Sequence, residues 1–321
     1  MTASGCTEVA TDETPTDKAS TGAVPGDVRR GRLVVVGTPL GNLGDLSPRG
    51  REALASADVV ACEDTRRTGR LYQLVGLKAP TMIVIEQHVE RAGTTRVLAA
   101  IERGSTVVLV TDAGMPGISD PGGLVVDAVH TAGGRIEVVP GPSAVSAALA
   151  VSGLLTDRFV MEGFLPRSRG ERGERIRMIA AETRAVVCFE SPGRLARTLA
   201  EMAAVCADER RVVVCRELTK MHETIWRGTV VEAVERFGVE PVRGEIVLVV
   251  AAGPPPVPAS EEELRAALVA QMATGATTRG AVDAVSRATG ARRSAVYALA
   301  IGLAVGLEAE DDDPAFPSER G

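Results

Sequence analysis

Short apolar runs alternate with longer stretches of mixed polarity from Arg32 to Gly141. The runs RLVVVG, DVVACE, STVVLVTD and RIEVVPG predict strands. Several of the stretches between them have the apolar spacing of a helix and end in glycine, and Ser47 followed by Pro48 is typical of a helix start. Apolar strands separated by helices of about ten residues predict an α/β fold whose sheet is covered on both faces.

The pattern changes after PSAVSAALAVSG, which predicts a helix at residues 142–153. The runs RFVMEGFL, RAVVCFE, RRVVVCREL, ETIWRGTV and GEIVLVVA predict five strands, with helices at GERIRMIAAE, SPGRLARTLAEMAAVC and TVVEAVERFG. Because the last strands follow one another closely, we expect a mixed sheet in a second α/β domain. A proline-rich segment and three short helices complete the pattern at SEEELRAALVAQMATG, TRGAVDAVSRATG and RRSAVYALAIGL.

A chain of 321 residues is too long for one hydrophobic core, so we expect at least two domains. The predicted parts are a disordered tail at 1–30, an N-terminal α/β domain at 31–142, a C-terminal α/β domain at 143–252, a proline-rich linker at 253–260, a helical module at 261–307 and an acidic disordered tail at 308–321.

Charge and composition narrow the class of protein. The net charge is −6, but the two tails carry −2 and −5, so residues 31–307 carry about +1 and can still present a local basic face. The absence of an apolar run of about 18 residues and of a signal-peptide pattern predicts a cytoplasmic protein with no membrane contact. Five cysteines without a C-x-x-C pair predict neither disulfides nor a metal site.

Four loops follow predicted strands and carry unusual residues: VGTPLGNLGD (36–45), CEDTRRT (62–68), TDAGMPGISDPG (111–122) and VPGPSA (139–144). Open α/β sheets bind ligands at the carboxyl ends of their strands, so these loops are candidates for a binding site. The glycine spacing of the first loop matches neither the dinucleotide motif nor the P-loop. Asp64 or Thr65 also suits a helix N-cap, and ISDPG is expected to start the next helix at Asp120.

The four loops, followed in order by EGFLP, FESPGRL, CRELTKMHE and GEIVLVV, closely resemble the tetrapyrrole methylase superfamily. Within it they resemble the bacterial 16S ribosomal RNA cytidine 2′-O-methyltransferases, over about residues 31–306. The resemblance implies a homodimer of two-domain protomers with S-adenosylmethionine in the cleft between the domains. One departure is Gly193, where the family usually has histidine.

The resemblance also implies where S-adenosylmethionine binds. The expected cofactor-binding residues come from the strand-end loops of both α/β domains: Pro39, Leu40, Asp112, Gly114, Met115, Ser143, Ala144, Phe164, Glu190, Glu217, Gly244 and Glu245.

A ribose 2′-hydroxyl is a poor nucleophile until it loses its proton, so a base is expected nearby. The chain has three lysines against 33 arginines, and Lys220 lies within ELTKMHE. Since arginine cannot act as a base, Lys220 is the predicted base, with a salt bridge to Glu217 or Glu223 as the other interpretation. Glu63 and Arg66 are predicted to orient the ribose and its phosphate, and His222 is a further candidate base.

The arginine-rich segment PRSRGERGERIR (166–177) and the C-terminal helices are the predicted contacts with 16S rRNA or the assembled small subunit. The expected RNA-binding residues are Arg167, Arg169, Arg172, Arg175, Arg292 and Arg293. A solvated loop before a helix, and helices that only pack on the protein, remain the alternatives. The competing functions are a methylase of the same superfamily acting on a porphyrinoid or a protein, and a non-catalytic ribosome-associated binding protein.

Overall fold

A computed structural model describes residues 31–86, 90–154, 157–254 and 259–310. Its first sheet has five parallel strands in the order β3-β2-β4-β1-β5. The strands are β1 (Arg32–Val36), β2 (Val59–Cys62), β3 (Thr81–Val84), β4 (Thr106–Leu109) and β5 (Arg135–Val139). Four of them are the predicted ones. The edge strand β3, with the sequence TMIV, was not predicted.

Helices cover both faces of this sheet, as predicted. They are α1 (Pro48–Ala55), α2 (Thr65–Leu74), α3 (Glu90–Glu102) and α4 (Gly123–Thr131). In β1, Leu33 and Val35 enter one core cluster, whereas Val34 and Val36 enter a second cluster on the opposite face. Ser47 caps α1 by accepting a hydrogen bond from Gly50 N, and Pro48 occupies the first turn.

The second sheet is mixed, which confirms the prediction. Its order is β6-β7-β10-β8-β9; β6 and β7 are parallel, and the other pairs are antiparallel. The strands are β6 (Phe159–Phe164), β7 (Ala185–Glu190), β8 (Arg211–Arg216), β9 (Thr224–Thr229) and β10 (Ile246–Val250). The helix α5 (Ala144–Ser152) packs on one face, and α6 (Arg169–Ala181), α7 (Leu195–Ala203) and α8 (Val230–Phe237) pack on the other.

The C-terminal residues form three helices with a core of their own. The helices are α9 (Glu261–Ala273), α10 (Thr278–Thr289) and α11 (Arg293–Glu310), and Leu268, Val282 and Val296 are fully buried among them. These helices and residues 181–183 belong to a second compact unit, separate from the unit that contains both sheets. The proposed boundaries between the α/β domains stay a prediction.

Two predicted boundaries were wrong. The helix expected from Asp120 begins at Gly123, because Gly122 is the N-cap and Glu90 Oε1 accepts hydrogen bonds from Gly122 N and Leu124 N. The helical module was expected to end at residue 307, but α11 continues to Glu310. The tail at 1–30, residues 255–258 of the linker and residues 311–321 lie outside the described residues.

Candidate active site

A cavity of about 400 Å³ lies where strand-end loops of the first sheet face strand ends of the second. The first sheet contributes residues that follow β1, β2, β4 and β5. The second sheet contributes the end of β6, the end of β7 and the start of β10. This volume is within the range of small-molecule sites. The sequence prediction of a binding site at the strand-end loops therefore coincides with a cavity.

Most of the residues predicted to hold the cofactor line this one cavity. They are Leu40, Asp112, Gly114, Met115, Ser143, Ala144, Phe164, Glu190, Gly244 and Glu245. Pro39 and Glu217 do not line it directly. The rings of Phe164 and Phe189 form an apolar part of the wall, with centroids 5.4 Å apart.

Glycines allow three of the loops to approach one another closely. Thr38 N donates to Gly114 O at 2.9 Å, and Gly114 N donates to Thr38 O at 3.1 Å. A Cβ atom on Gly37 would lie only 2.7 Å from the Cα of Gly141. Gly114 itself has a φ of 86°, a backbone conformation that residues other than glycine rarely adopt. The close approach of these loops therefore requires glycine at these positions, because a side chain would collide with a neighbouring loop or strain the backbone.

Carboxylates from both sheets surround the cavity. Burial and the neighbouring charge of Asp112 raise the pKa of Glu63. Burial also raises the pKa of Asp112, although Arg67 Nη1 lies 3.3 Å from Asp112 Oδ2 and acts against the shift. Asp112 Oδ1 is buried and has no hydrogen-bond partner among the described atoms. A cavity with this charge favours a cationic ligand or one that donates hydrogen bonds.

Glu190 is a structural anchor as well as a lining residue. Its side chain is 0% exposed. Its carboxylate accepts hydrogen bonds from Thr198 Oγ1 at 2.6 Å and from Ser191 N at 2.7 Å, and it pairs with Arg194. These contacts fix the turn after β7 that contains Gly193. The turn does not depend on a side chain at position 193.

Lys220 has the salt bridge that was the alternative interpretation of its role. Its Nζ lies 2.9 Å from Glu217 Oε1 and 2.9 Å from Glu245 Oε2, rather than pairing with Glu223. Burial acts to lower the pKa of Lys220, but the hydrogen bonds to the two carboxylates outweigh it, so the pKa is raised. Lys220 does not line the cavity. A lysine held in this way keeps its proton, so these contacts do not favour the predicted role of Lys220 as a base.

Arg66 points away from the cavity, and its neighbour takes its place. The side chain of Arg66 is 89% exposed and forms a 2.6 Å ion pair with Asp64, which also caps α2. Among the described residues that line the cavity, Arg67 is the only basic one. Sequence reasoning chose Arg66 because both arginines follow the same acidic pair. Only the direction of each side chain at the start of α2 distinguishes them.

The arginine-rich segment is mostly helix, because α6 begins at Arg169, four residues before the helix predicted at GERIRMIAAE. Arg172 was expected to contact RNA, but its side chain is 4% exposed and pairs with Glu201 at 2.7 Å. A buried, paired guanidinium is not available to a phosphate. Arg175 pairs with Glu162, and Arg293 pairs with Asp283.

The other three predicted RNA contacts, Arg167, Arg169 and Arg292, are exposed. The described residues contain no group of three or more His, Cys, Asp or Glu side chains arranged to hold a metal ion. Cys62, Cys188, Cys206 and Cys215 are free thiols. None of the described helices is both long and apolar enough to cross a membrane.

A model of the tetrapyrrole (corrin/porphyrin) methylases matches residues 32–234. The chain belongs to the tetrapyrrole methylase family. A relative of this tetrapyrrole methylase is ribosomal RNA small subunit methyltransferase I of Synechocystis sp., which is 42% identical over 85% of this chain and 98% of the relative. Proteins of the same name from Thermotoga maritima and Mycobacterium tuberculosis are 40% and 44% identical. The matches cover 68% and 70% of this chain, and 97% and 79% of those relatives.

Solved structures confirm the fold of this tetrapyrrole methylase. Cobalt precorrin-4 methyltransferase matches with a TM-score of 0.53 and 22% identity, over 72% of this chain and 98% of that one. Uroporphyrin-III C-methyltransferase from Thermus thermophilus, in complex with S-adenosylhomocysteine, matches with a TM-score of 0.51 and 20% identity over 69% and 97%. At these identities the likeness concerns the fold, and the predicted α/β architecture agrees with it.

Sequence reasoning missed two charged residues of the cavity wall, Arg67 and Asp120. Arg67 follows the arginine that was chosen. Asp120 was assigned to the start of α4, because Asp before Pro-Gly is common where helices begin. The glycine pair Gly122–Gly123 was the available sequence signal that the helix starts after Asp120.

Proposed function

We propose that this tetrapyrrole methylase transfers a methyl group from S-adenosylmethionine to the 2′-oxygen of a cytidine ribose in the 16S rRNA of the small ribosomal subunit. The observation that carries the proposal is the name shared by relatives that are 40–44% identical, one of them matched over 98% of its length. The cavity between the two sheets supports the same function, because it fits the cofactor in size and chemistry.

The residues present fit S-adenosylmethionine on three counts. The volume of about 400 Å³ suits a ligand of nucleoside size. Leu40, Phe164 and Phe189 offer an apolar surface for a base. The unpartnered, buried Asp112 Oδ1 would accept a hydrogen bond from a ribose hydroxyl or an amine. The acidic wall also complements a ligand that carries a sulfonium charge.

The bound cofactor would supply a methyl group that is already activated by its attachment to a positively charged sulfur. The protein then has two tasks, which are to align the attacking ribose oxygen and to remove its proton. Alignment can supply a large part of the rate enhancement in such a transfer. The rigid contacts among the loops at Gly37, Gly114 and Gly141 would hold the cavity wall for that purpose.

The turn Gly244–Glu245 would close the other side of the cavity. Glu217 Oε1 accepts a hydrogen bond from Glu245 N at 2.9 Å and also binds Lys220. Glu217 has a φ of 54°, a strained conformation of the kind found near functional sites. We therefore propose that Lys220 and Glu217 position Glu245, which itself lines the cavity.

RNA contacts would come from exposed arginines rather than from base stacking. Aromatic residues are 2% of the chain, which leaves few side chains on which bases could stack. Arg167 and Arg169 are exposed at the start of α6, and Arg292 is exposed before α11. We also propose, from the family resemblance, that the protein acts in the cytoplasm and as a homodimer.

The experiment is transfer of a labelled methyl group from S-adenosylmethionine to three acceptors: unmodified small subunits, free 16S rRNA and a tetrapyrrole precursor. Label in the RNA, with ribose 2′-O-methylcytidine after digestion, is the expected result. Label in the tetrapyrrole alone would contradict the proposal in favour of a porphyrinoid methylase. Binding of the cofactor without transfer to any acceptor would favour a non-catalytic ribosome-associated protein.

A further inference from the structure

Asp120 is a carboxylate of the cavity wall without a partner. It lies at the end of the loop 111–122, three residues before α4, and its side chain is half-buried. No hydrogen bond or ion pair joins its carboxylate to any other of the described residues. Burying a charge without a partner is unfavourable, so such a group is uncommon unless it serves a ligand or a reaction.

The backbone around Asp120 fixes its place at the junction of the two sheets. Ser119 has a φ of 63°, in the left-handed region. A Cβ atom on Gly163 of β6 would lie 3.3 Å from Ser119 Oγ, so this loop contacts the irregular strand β6 just before Phe164. The contact places Asp120 opposite the second sheet, and Gly122 rather than Asp120 starts the helix.

The charges that face Asp120 come from five segments. Glu63 follows β2, Asp112 lies in the same loop, and Glu245 precedes β10. Arg67 of α2, the basic residue of the wall, is paired with Asp112. Glu190, the last residue of β7, is paired with Arg194. Burial, followed by repulsion from Glu63, Asp112 and Glu245, raises the pKa of Asp120 to about 6. A group with a pKa near the working pH is suited to accept a proton.

We propose that Asp120 is the catalytic residue that accepts the proton of the attacking ribose hydroxyl. The inference rests on the proposed function. In this step the 2′-oxygen forms a bond to the methyl carbon, and the carbon–sulfur bond breaks with its electron pair left on sulfur. The 2′-hydroxyl proton passes to an oxygen of Asp120 and then to solvent. Lys220, which is protonated and lies outside the cavity lining, does not perform it.

The test uses Asp120→Asn, which keeps the size of the side chain and removes the base. Asp127→Asn on the exposed surface of α4 is the matched control. We expect kcat on small subunits to fall by about 10²- to 10⁴-fold in Asp120→Asn, with a far smaller change in the Kd for S-adenosylmethionine in calorimetry. The wild type and the control should lose kcat as the pH falls through about 6, because the base becomes protonated. Asp120→Asn should lack that limb of the profile.

A second readout is independent of turnover. In protein labelled with ¹³C at aspartate carboxyl groups, one resonance should titrate near pH 6 in the wild type and the control, and it should be absent from Asp120→Asn. Asp120→Glu keeps a carboxylate and should retain part of the activity and the acid limb, which covers the case in which the asparagine variant folds poorly.

Three results would overturn the inference. They are near-normal kcat in Asp120→Asn, a weakened Kd for the cofactor with unchanged kcat, and the absence of a carboxyl resonance that titrates near pH 6 and depends on Asp120. If the wild type methylates small subunits and Asp120→Asn does so equally well, the inference alone fails. If the wild type methylates no RNA, the proposed function fails and the inference fails with it.

Discussion

Lys220 is held between Glu217 and Glu245, and its ammonium is the link between the ELTKMHE motif and the turn that lines the cavity. Both contacts are 2.9 Å long, and they stabilise the charged form of the lysine. Removal of the ammonium would leave two carboxylates close together, with less to keep Glu245 in place. At the scale of a single residue, Lys220 therefore acts on the shape of the cavity.

Lys220→Ala is expected to weaken binding of S-adenosylmethionine and to lower kcat by much less than the 10²- to 10⁴-fold that loss of a general base causes. The reason is that Glu217 and Glu245 lose their shared cation while the proton acceptor remains. Steady-state kinetics and calorimetry measure the two effects, with Lys78→Ala on the exposed surface as the control. A hundredfold loss of kcat with normal cofactor affinity would instead identify Lys220 as the base.

The sequence located the cavity residues better than it assigned their roles. Strand-end loops rich in glycine and acids predicted where Asp112, Gly114 and Ser143 lie, because the carboxyl ends of parallel strands share one edge of the sheet. The choice between Arg66 and Arg67 depends on side-chain direction within one helical turn. The role of Asp120 depends on Asp112 in the same loop and on Glu63 and Glu245, which are distant in the sequence. Neither property is encoded in a local pattern.

The pair formed by Arg172 and Glu201 joins α6 to α7. Arg172 Nε and Nη2 each donate to the Glu201 carboxylate at 2.7 Å, and Arg172 Nη1 donates to Arg167 O. The segment that the sequence suggested as an RNA contact thus contributes one arginine to the packing of two helices. The bidentate geometry is the strong form of such a pair.

Arg172→Ala should lower the free energy of unfolding by about 1.5–3 kcal/mol, because two charge-assisted hydrogen bonds to the partly buried carboxylate of Glu201 are lost. Arg169→Ala, one helical turn earlier and exposed, should change it by about 0.5 kcal/mol or less. The Arg172 guanidinium lowers the pKa of Glu201. The stability that the pair contributes is therefore present above the ordinary pKa of glutamate and is lost as the pH falls through the lowered value.

Urea unfolding at neutral pH and at a pH well below the ordinary pKa of glutamate measures both effects. The difference between the wild type and Arg172→Ala should shrink in acid. Equal stability of the two proteins at neutral pH would show that the pair does not hold the helices together, and it would reopen the possibility that Arg172 contacts RNA.

Most elements followed from periodicity, and the exceptions have specific physical causes. β3 is a four-residue edge strand whose first residue is exposed, so its apolar pattern is short. α4 begins late because Glu90, 32 residues earlier in the chain, supplies its cap. α6 extends back to Arg169 through a segment rich in arginine and glycine, whose local sequence favours a loop. Of these, the start of α4 is decided by a contact distant in the sequence.

At the scale of the whole molecule, the helical unit α9–α11 lies beyond the part of the chain that the family model matches, which ends at residue 234. Arg287 and Arg292 are exposed in this unit. The double variant Arg287→Glu with Arg292→Glu should raise the KM for small subunits and leave the Kd for S-adenosylmethionine unchanged. Each lost phosphate contact should also reduce, by about one, the slope of the logarithm of the binding constant against the logarithm of the salt concentration.

Arg265→Glu is the matched control, because Arg265 is exposed in α9 but already pairs with Glu261. Equal effects of the control and the double variant would contradict a specific contact of RNA with Arg287 and Arg292. No effect of the double variant would show that the helical unit does not bind the RNA substrate, and the exposed arginines of α6 would then be the next candidates.

The measurement that tests the central claim most directly is mass-spectrometric mapping of 16S rRNA from cells with and without the gene for this protein. The account predicts that one cytidine loses its ribose methyl group when the protein is absent and regains it when the wild type is returned, but not when Asp120→Asn is returned. Identical methylation of the RNA in both cells would contradict the assignment of this tetrapyrrole methylase to the small ribosomal subunit.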